Sequence, residues 1–98
     1  MMIESIVKKE AVRNQKMIEE YEAQIRDLPK GSLVCRKGEY YYLKYRKDGK
    51  LFDDYVGKDP KVIGELCEKL EMRRHCESML SALKLEKKTI AKILEGLS

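Results

Sequence analysis

Six of the seven aromatic residues of this 98-residue chain lie between positions 40 and 55, and basic residues alternate with them. Lysine and arginine can neutralise phosphate groups, while tyrosine rings can stack on exposed bases or bury themselves at a protein interface. The alternative is that the rings cover a helix of the same chain and the lysine stems lie over them. The residues that we expect to bind a partner are Tyr40, Tyr42, Lys44, Arg46, Lys47, Lys50, Tyr55 and Lys58.

Groups that could perform catalysis are scarce. The one histidine, His75, precedes Cys76 in a helical pattern, where adjacent side chains point about 100° apart. Neither a nucleophile pair nor a Ser-His-Asp set can be assembled, and the sequence has no glycine-rich phosphate loop. Cys35, Cys67 and Cys76 form no CxxC pair, and helix geometry argues against a zinc site. We therefore predict a non-enzyme without a metal or cofactor.

The charge of the chain is concentrated around the aromatic segment. The net charge is +4, and residues 30–61 contain nine Lys or Arg against five Asp or Glu. Such a surface can attract nucleic acid, anionic lipid or an acidic protein, or it can serve only for solubility. An odd number of cysteines without a secretory signal favours reduced thiols. No apolar run approaches membrane-spanning length, so we expect a soluble cytoplasmic protein with no membrane partner.

Charged helices flank the aromatic segment. Apolar residues recur at three- and four-residue steps up to Leu28, and Pro29 and Gly31 end that pattern. Asp59 is a predicted N-cap before Pro60, which opens a helix longer than about 50 Å. Part of its apolar stripe must pair with the first helix, and any remainder with another chain. Asn14, within the first stripe, either fixes register or partner number or faces water at a helix bend.

These elements predict one α+β domain over residues 1–98. It consists of a long N-terminal helix over about 2–28, a three-stranded antiparallel β-meander over about 32–57, and a long C-terminal helix over about 60–95. The two helices are predicted to form an antiparallel, coiled-coil-like hairpin.

The turn Asp48-Gly49 sets the strand register, because it is a strong two-residue hairpin signal. It pairs Tyr45 with Phe52 and places Lys44 opposite Asp53. The face predicted to be the core candidate carries Tyr41, Leu43, Tyr45, Phe52 and Val56, and a two-residue turn at Lys37-Gly38 would add Val34. The opposite face carries Tyr40, Tyr42, Lys44, Arg46, Leu51, Asp53 and Tyr55.

Residues 28–60 contain Gly31-Ser32, Glu39-Tyr40-Tyr41-Tyr42-Leu43, Tyr45-Arg46, Gly49-Lys50 and Tyr55-Val56-Gly57-Lys58-Asp59. This pattern resembles a family of small prokaryotic proteins of phage and mobile-element type. The resemblance implies the sheet and no assigned activity. A weaker resemblance, to the N-terminal β-sheet modules of some transposases and integrases, implies that the sheet helps to bind DNA. Asp53 and Asp54 depart from the more basic family versions, so the third strand is less suited to phosphate.

We therefore expect a small nucleic-acid-binding or nucleoprotein-binding protein that uses the basic tyrosine-rich sheet. One alternative is a phage-encoded inhibitor of a host nuclease, of the anti-CRISPR type, that acts by protein–protein contact. Another is a structural coiled-coil oligomer. The expected partners are nucleic acid or a nucleic-acid-bound host protein, with a possible homodimer through the helices.

Overall fold

The computed structural model describes residues 2–97. In chain order it contains helix α1 (Met2–Arg26), strands β1 (Ser32–Arg36), β2 (Tyr40–Lys47) and β3 (Lys50–Gly57), and helix α2 (Pro60–Leu97). The predicted α+β architecture is confirmed. Within the described residues, neither helix is both long and apolar enough to span a membrane.

The contacts of the chain divide into two compact units. One contains α1 and the part of α2 that starts at His75, and the other runs from Asp27 to Arg74.

In the helical unit, α1 and α2 run antiparallel. The Cys76 thiol donates a hydrogen bond to Gln24 Oε1 over 3.4 Å, and the Lys87 ammonium donates one to Gln15 Oε1 over 2.8 Å. Contacts therefore move towards the start of α1 as the numbering of α2 rises, which is the predicted antiparallel pairing. The buried side chains of this unit are Asn14, Ile18, Cys76 and Leu83.

Asn14 is the polar member of this core. It is 1% exposed, and its Nδ2 donates to the Leu83 carbonyl over 2.9 Å and to Glu86 Oε1 over 3.1 Å. A buried amide requires such partners because an unpaired one would lose its hydration without compensation. The interpretation in which Asn14 faces water is therefore wrong.

The second unit contains the sheet, in the order β1-β2-β3. Asp48 and Gly49 form the turn between β2 and β3 with φ angles of 53° and 75°, as a type I′ hairpin requires. Tyr45 pairs with Phe52, and Lys44 pairs with Asp53, as predicted. The ladder is interrupted at Val56, which the register skips between Tyr42 and Tyr41, so β3 contains a bulge. The prediction that Val56 lies on the core-candidate face assumed an unbroken ladder, in which Val56 pairs with Tyr41. In the structure Gly57 pairs with Tyr41 instead.

β1 pairs one residue away from its predicted register. The loop before β2 has three residues, 37–39, instead of two, and the Glu39 amide donates to the Arg36 carbonyl over 3.3 Å. One extra residue moves every side chain of β1 to the opposite face of the sheet. Val34 therefore lies opposite Tyr42, and the prediction that places it on the core-candidate face is wrong.

Two features position the sheet between its flanking segments. Gly31 has a φ of 122°, and a Cβ at this position would collide with the carbonyl oxygen of Lys44, so the chain can pass β2 closely only with glycine here. Asp59 caps α2 as predicted, because its Oδ1 accepts the Lys61 amide over 3.0 Å. The close approach of Gly31 to β2 before the sheet and the capped start of α2 after it therefore fix both ends of this segment.

Candidate functional site

One face of the sheet collects most of the predicted binding residues, and we call it the tyrosine face. Pairing across the three strands assigns to it Ser32, Val34, Arg36, Tyr40, Tyr42, Lys44, Arg46, Leu51, Asp53 and Tyr55. Each of these side chains is half-buried or exposed, and Tyr55 is 61% exposed. The tyrosine rings are therefore not enclosed in a core.

Three tyrosines form a cluster at the end of the sheet that lies away from the Asp48-Gly49 turn. The rings of Tyr42 and Tyr55, on paired positions of neighbouring strands, meet edge to face with centroids 5.4 Å apart. Tyr40 lies two residues before Tyr42, and its ring is tilted by 43° to that of Tyr55 with centroids 6.3 Å apart. Such contacts are favoured geometries for aromatic rings and limit the orientations of the three side chains.

A guanidinium group covers one ring of the cluster. Arg36 Cζ lies 4.7 Å from the centroid of Tyr42, and Arg36 Nη2 donates to Asp53 Oδ2 over 2.8 Å. The cation–π contact and the ion pair together fix the guanidinium against the sheet. Because Asp53 offsets this charge, Arg36 mainly covers the Tyr42 ring and is not a free cation.

Lys58 approaches the cluster from the end of β3. Its ammonium lies 5.8 Å from the centroid of Tyr40 and 3.8 Å from Glu39 Oε1. Both partners of this ion pair are about 60% exposed, so water screens the attraction and the pair is weak. Lys58 therefore remains able to exchange Glu39 for an anionic ligand.

The cluster surrounds an open depression of about 370 Å³. Its lining consists of three rings and two cationic side chains, namely Tyr40, Tyr42, Tyr55, Arg36 and Lys37.

The remaining predicted residues lie elsewhere on the sheet. Lys44 occupies the middle of β2 opposite Asp53, while Arg46 and the paired Lys47 and Lys50 lie at the Asp48-Gly49 end. At about 3.3 Å per residue, roughly 23 Å of strand separates Tyr40 from Lys47. The structure thus brings together Tyr40, Tyr42, Tyr55 and Lys58. At the far end, beside the turn residue Asp48, Arg46 lies on the tyrosine face, whereas Lys47 and Lys50 lie on the opposite face.

Arg36 and Lys37 are site residues that the sequence interpretation missed. The Lys37-Gly38 pair fits a two-residue and a three-residue loop, and the adjacent apolar residues Leu33 and Val34 leave the alternation of β1 undecided. A two-residue loop turns Arg36 away from the tyrosines, whereas the observed loop places it opposite Tyr40. The sequence contains no signal that distinguishes the two registers.

The opposite face carries a different kind of tyrosine. The Tyr45 ring stacks on Phe52 with centroids 5.5 Å apart, and its hydroxyl donates to Asp54 Oδ2 over 2.9 Å. This hydrogen bond, with smaller contributions from desolvation and from the negative charge of Asp54, raises the pKa of the Tyr45 phenol above its ordinary value. Tyr45 is therefore committed to an intramolecular partner.

The described residues contain few groups that could perform redox or metal chemistry. Cys35 and Cys67 are exposed free thiols, and Cys76 is buried at the helix pair. Among residues 2–97, no group of three or more His, Cys, Asp or Glu side chains is arranged to hold a metal ion.

Comparison with curated proteins and with solved structures finds no match to this chain. One domain family does match, over residues 7–66, and it is described as a domain of unknown function (DUF6788). The matched stretch contains most of α1, the whole sheet and the first turns of α2, and so includes all of the candidate site. Since it covers more than half of the sequence, the chain belongs to the DUF6788 family.

Proposed function

We propose that this protein is a non-enzymatic nucleic-acid-binding protein, of the phage and mobile-element type that its sequence resembles, and that the tyrosine face makes the contact. The observation that carries the proposal is the open aromatic cluster, with Tyr55 61% exposed and cationic side chains beside it. Cationic side chains can neutralise phosphates and exposed rings can stack on bases, so this surface offers both kinds of contact.

The distribution of charge supports a long contact. On the tyrosine face, Lys37 and Lys58 lie at the tyrosine cluster, Lys44 lies in the middle of β2, and Arg46 lies at the other end. A phosphate backbone that follows β2 would meet positive charge at both ends. Asp53, in the middle of the face, is already engaged by Arg36, which reduces its repulsion of phosphate.

A salt titration tests the proposal. The full chain is mixed with labelled single-stranded DNA, single-stranded RNA and duplex DNA, and affinity is measured by fluorescence anisotropy between 50 and ~300 mM salt. We expect the logarithm of the affinity to fall linearly with the logarithm of salt, by about 0.7 per contacted phosphate of a single strand. Absence of binding, or affinity that does not respond to salt, would contradict the proposal.

Paired variants locate the contact. Lys44→Ala with Arg46→Ala removes two positive charges from the tyrosine face, and we expect the salt slope to become shallower by about 1 to 1.5. The matched control, Lys9→Ala with Lys16→Ala, removes the same charge from exposed positions of α1. Equal losses in the two variants would mean that net charge, rather than the sheet, attracts the ligand.

Protein contact is the second candidate function, in the form of an inhibitor of a host nuclease. The observation in its favour is that Arg36–Asp53 and Lys58–Glu39 pairs offset part of the positive charge, next to the exposed side chains of Leu51 and Tyr55. Arginine and tyrosine are enriched at protein interfaces. Capture of the same host protein from nuclease-treated and untreated lysate would favour this function, whereas loss of every partner on nuclease treatment would favour nucleic acid.

A further inference from the structure

The aromatic depression combines exposed ring surface with cationic side chains. Tyr42 is covered by Arg36 on one side and meets the Tyr55 ring edge to face, whereas Tyr55 is 61% exposed. The largest free ring surface of the cluster therefore belongs to Tyr55. In a duplex, neighbouring bases already occupy each other's faces, so only an unpaired base could use this surface.

We propose that one unpaired base stacks on Tyr55 over the depression, and hence that the ligand of the tyrosine face is single-stranded nucleic acid. This inference rests on the nucleic-acid binding proposed above.

Two lysine side chains lie near the depression, where they could meet a phosphate next to such a base. Lys37 lies in the loop between β1 and β2 and lines the depression, and Lys58 follows β3 with its ammonium 5.8 Å from the centroid of Tyr40. Lys58 is held by the Tyr40 ring and by a weak ion pair with Glu39. A phosphate carries a full charge and several acceptor oxygens, and it can replace that carboxylate at little cost.

The lining also predicts low sequence selectivity. The five side chains around the depression are three tyrosines, one arginine and one lysine. The guanidinium of Arg36, the group best suited to read a base edge, is occupied by Asp53 and by the Tyr42 ring. Stacking accepts any base, because every base has a π-face. We therefore expect similar affinities for strands of different composition.

The experiment compares two ligands of equal charge. The full chain is titrated with a thymidine oligonucleotide and with an abasic deoxyribose-phosphate oligomer of the same length, at one salt concentration. We expect the oligonucleotide to bind roughly 5- to 150-fold more tightly, since that is the range for one stacked base. It should also quench the protein emission, which arises from tyrosine because the chain has no tryptophan.

Two substitutions on one strand provide the matched comparison. Tyr55→Thr removes the ring and keeps a residue suited to a strand, and it should abolish most of the difference between the two oligomers. Phe52→Thr removes a ring from the opposite face of β3 and should leave the difference intact. Tyr55→Phe retains the ring and should bind as the original chain does.

The outcomes separate this inference from the proposed function. Equal affinity of the two oligomers, with normal salt dependence, would overturn the base site and leave nucleic-acid binding in place. Tighter binding of a duplex of the same length would overturn it as well. Failure of both oligomers and of the duplex to bind would overturn the proposed function together with the inference.

Discussion

The tyrosines of the sheet differ in their surroundings according to the face on which strand alternation places them. Tyr55 contacts other rings and exposes most of its surface, whereas Tyr45 is stacked on Phe52 and donates its hydroxyl to Asp54. A hydroxyl engaged within the chain orients its ring and gives the protein rigidity, while an uncommitted ring offers an area for a ligand. The tyrosine face therefore has ring surface that a ligand could contact, whereas the Tyr45 ring on the opposite face is engaged within the chain.

The Tyr45–Asp54 pair predicts a pH effect at the level of one residue. The folded chain holds the Tyr45 proton more tightly than the unfolded chain, so the pair stabilises the fold fully below the ordinary phenol pKa of about 10. That contribution is lost as pH rises through the higher pKa of the folded state. Tyrosine-labelled NMR should show Tyr45 ionising above the ordinary range, and Asp54→Ala should lower its pKa. A Tyr45 pKa that Asp54→Ala leaves unchanged would exclude Asp54 as the cause.

At the scale of elements, the two helices depend on a polar contact within an apolar seam. Asn14 bonds to a backbone carbonyl and to a carboxylate of α2, in a layer with Ile18 and Leu83. A buried amide of this kind stabilises less than a leucine would, but it matches only one alignment of the partner helix.

Substitution of Asn14 should separate stability from specificity. Asn14→Ala deletes both hydrogen bonds and leaves a void, and we expect it to lower the free energy of unfolding by about 1–3 kcal/mol. Asn14→Leu should be as stable as the original chain or more so, and should admit other helix pairings, including pairing between copies. Urea denaturation and sedimentation velocity measure the two effects.

The control for this series is Gln15→Ala. Gln15 accepts a bond from Lys87 at the exposed edge of the same helix pair, so its loss should change stability by less than about 0.5 kcal/mol. If Gln15→Ala lowered the free energy of unfolding as much as Asn14→Ala does, burial of Asn14 would not explain its contribution to stability. A monomeric Asn14→Leu variant that retains one pairing would contradict the register role.

At the scale of the whole molecule, the two compact units differ in how much they bury. The helical unit contains the fully enclosed Asn14 and Cys76, together with Ile18 and Leu83. In the unit from Asp27 to Arg74, the described buried residues are Gly57 and Leu70, and both sheet faces are half-buried or exposed. A sheet with little core depends mainly on its own ladder and ring contacts.

Hydrogen exchange should reveal this difference. Backbone amides of α1 near Ile18 and of α2 near Leu83 should exchange most slowly, because opening them exposes the apolar core. Amides of β2, which is bonded on both sides, should be intermediate, and those of the edge strands β1 and β3 should exchange faster. Native-state exchange followed by NMR measures these rates. Equal protection of the sheet and of the helical core would show that the sheet is as stable as the helix pair.

Local chemistry was sufficient to predict much of this protein from its sequence. Periodic apolar residues predicted both helices, Asp59-Pro60 predicted the start of α2, and Asp48-Gly49 predicted the pairing of β2 with β3. These features are determined by neighbours a few residues apart, through capping, fixed φ angles and two-residue turn geometry. The tyrosine face followed from that register, with Tyr42, Lys44 and Tyr55 placed as predicted.

Only the tertiary structure decided which side of β1 joins that face and which environment Asn14 occupies. The loop at 37–39 can close with two or three residues, and a difference of one residue brings Arg36 either onto Tyr42 or away from it. Asn14 is buried because Leu83 and Glu86, about 70 positions further along the chain, lie within hydrogen-bonding distance. The register of β1 depends on how its side chains pack against β2 and β3, and the burial of Asn14 depends on a helix far along the chain. A local pattern specifies neither set of contacts.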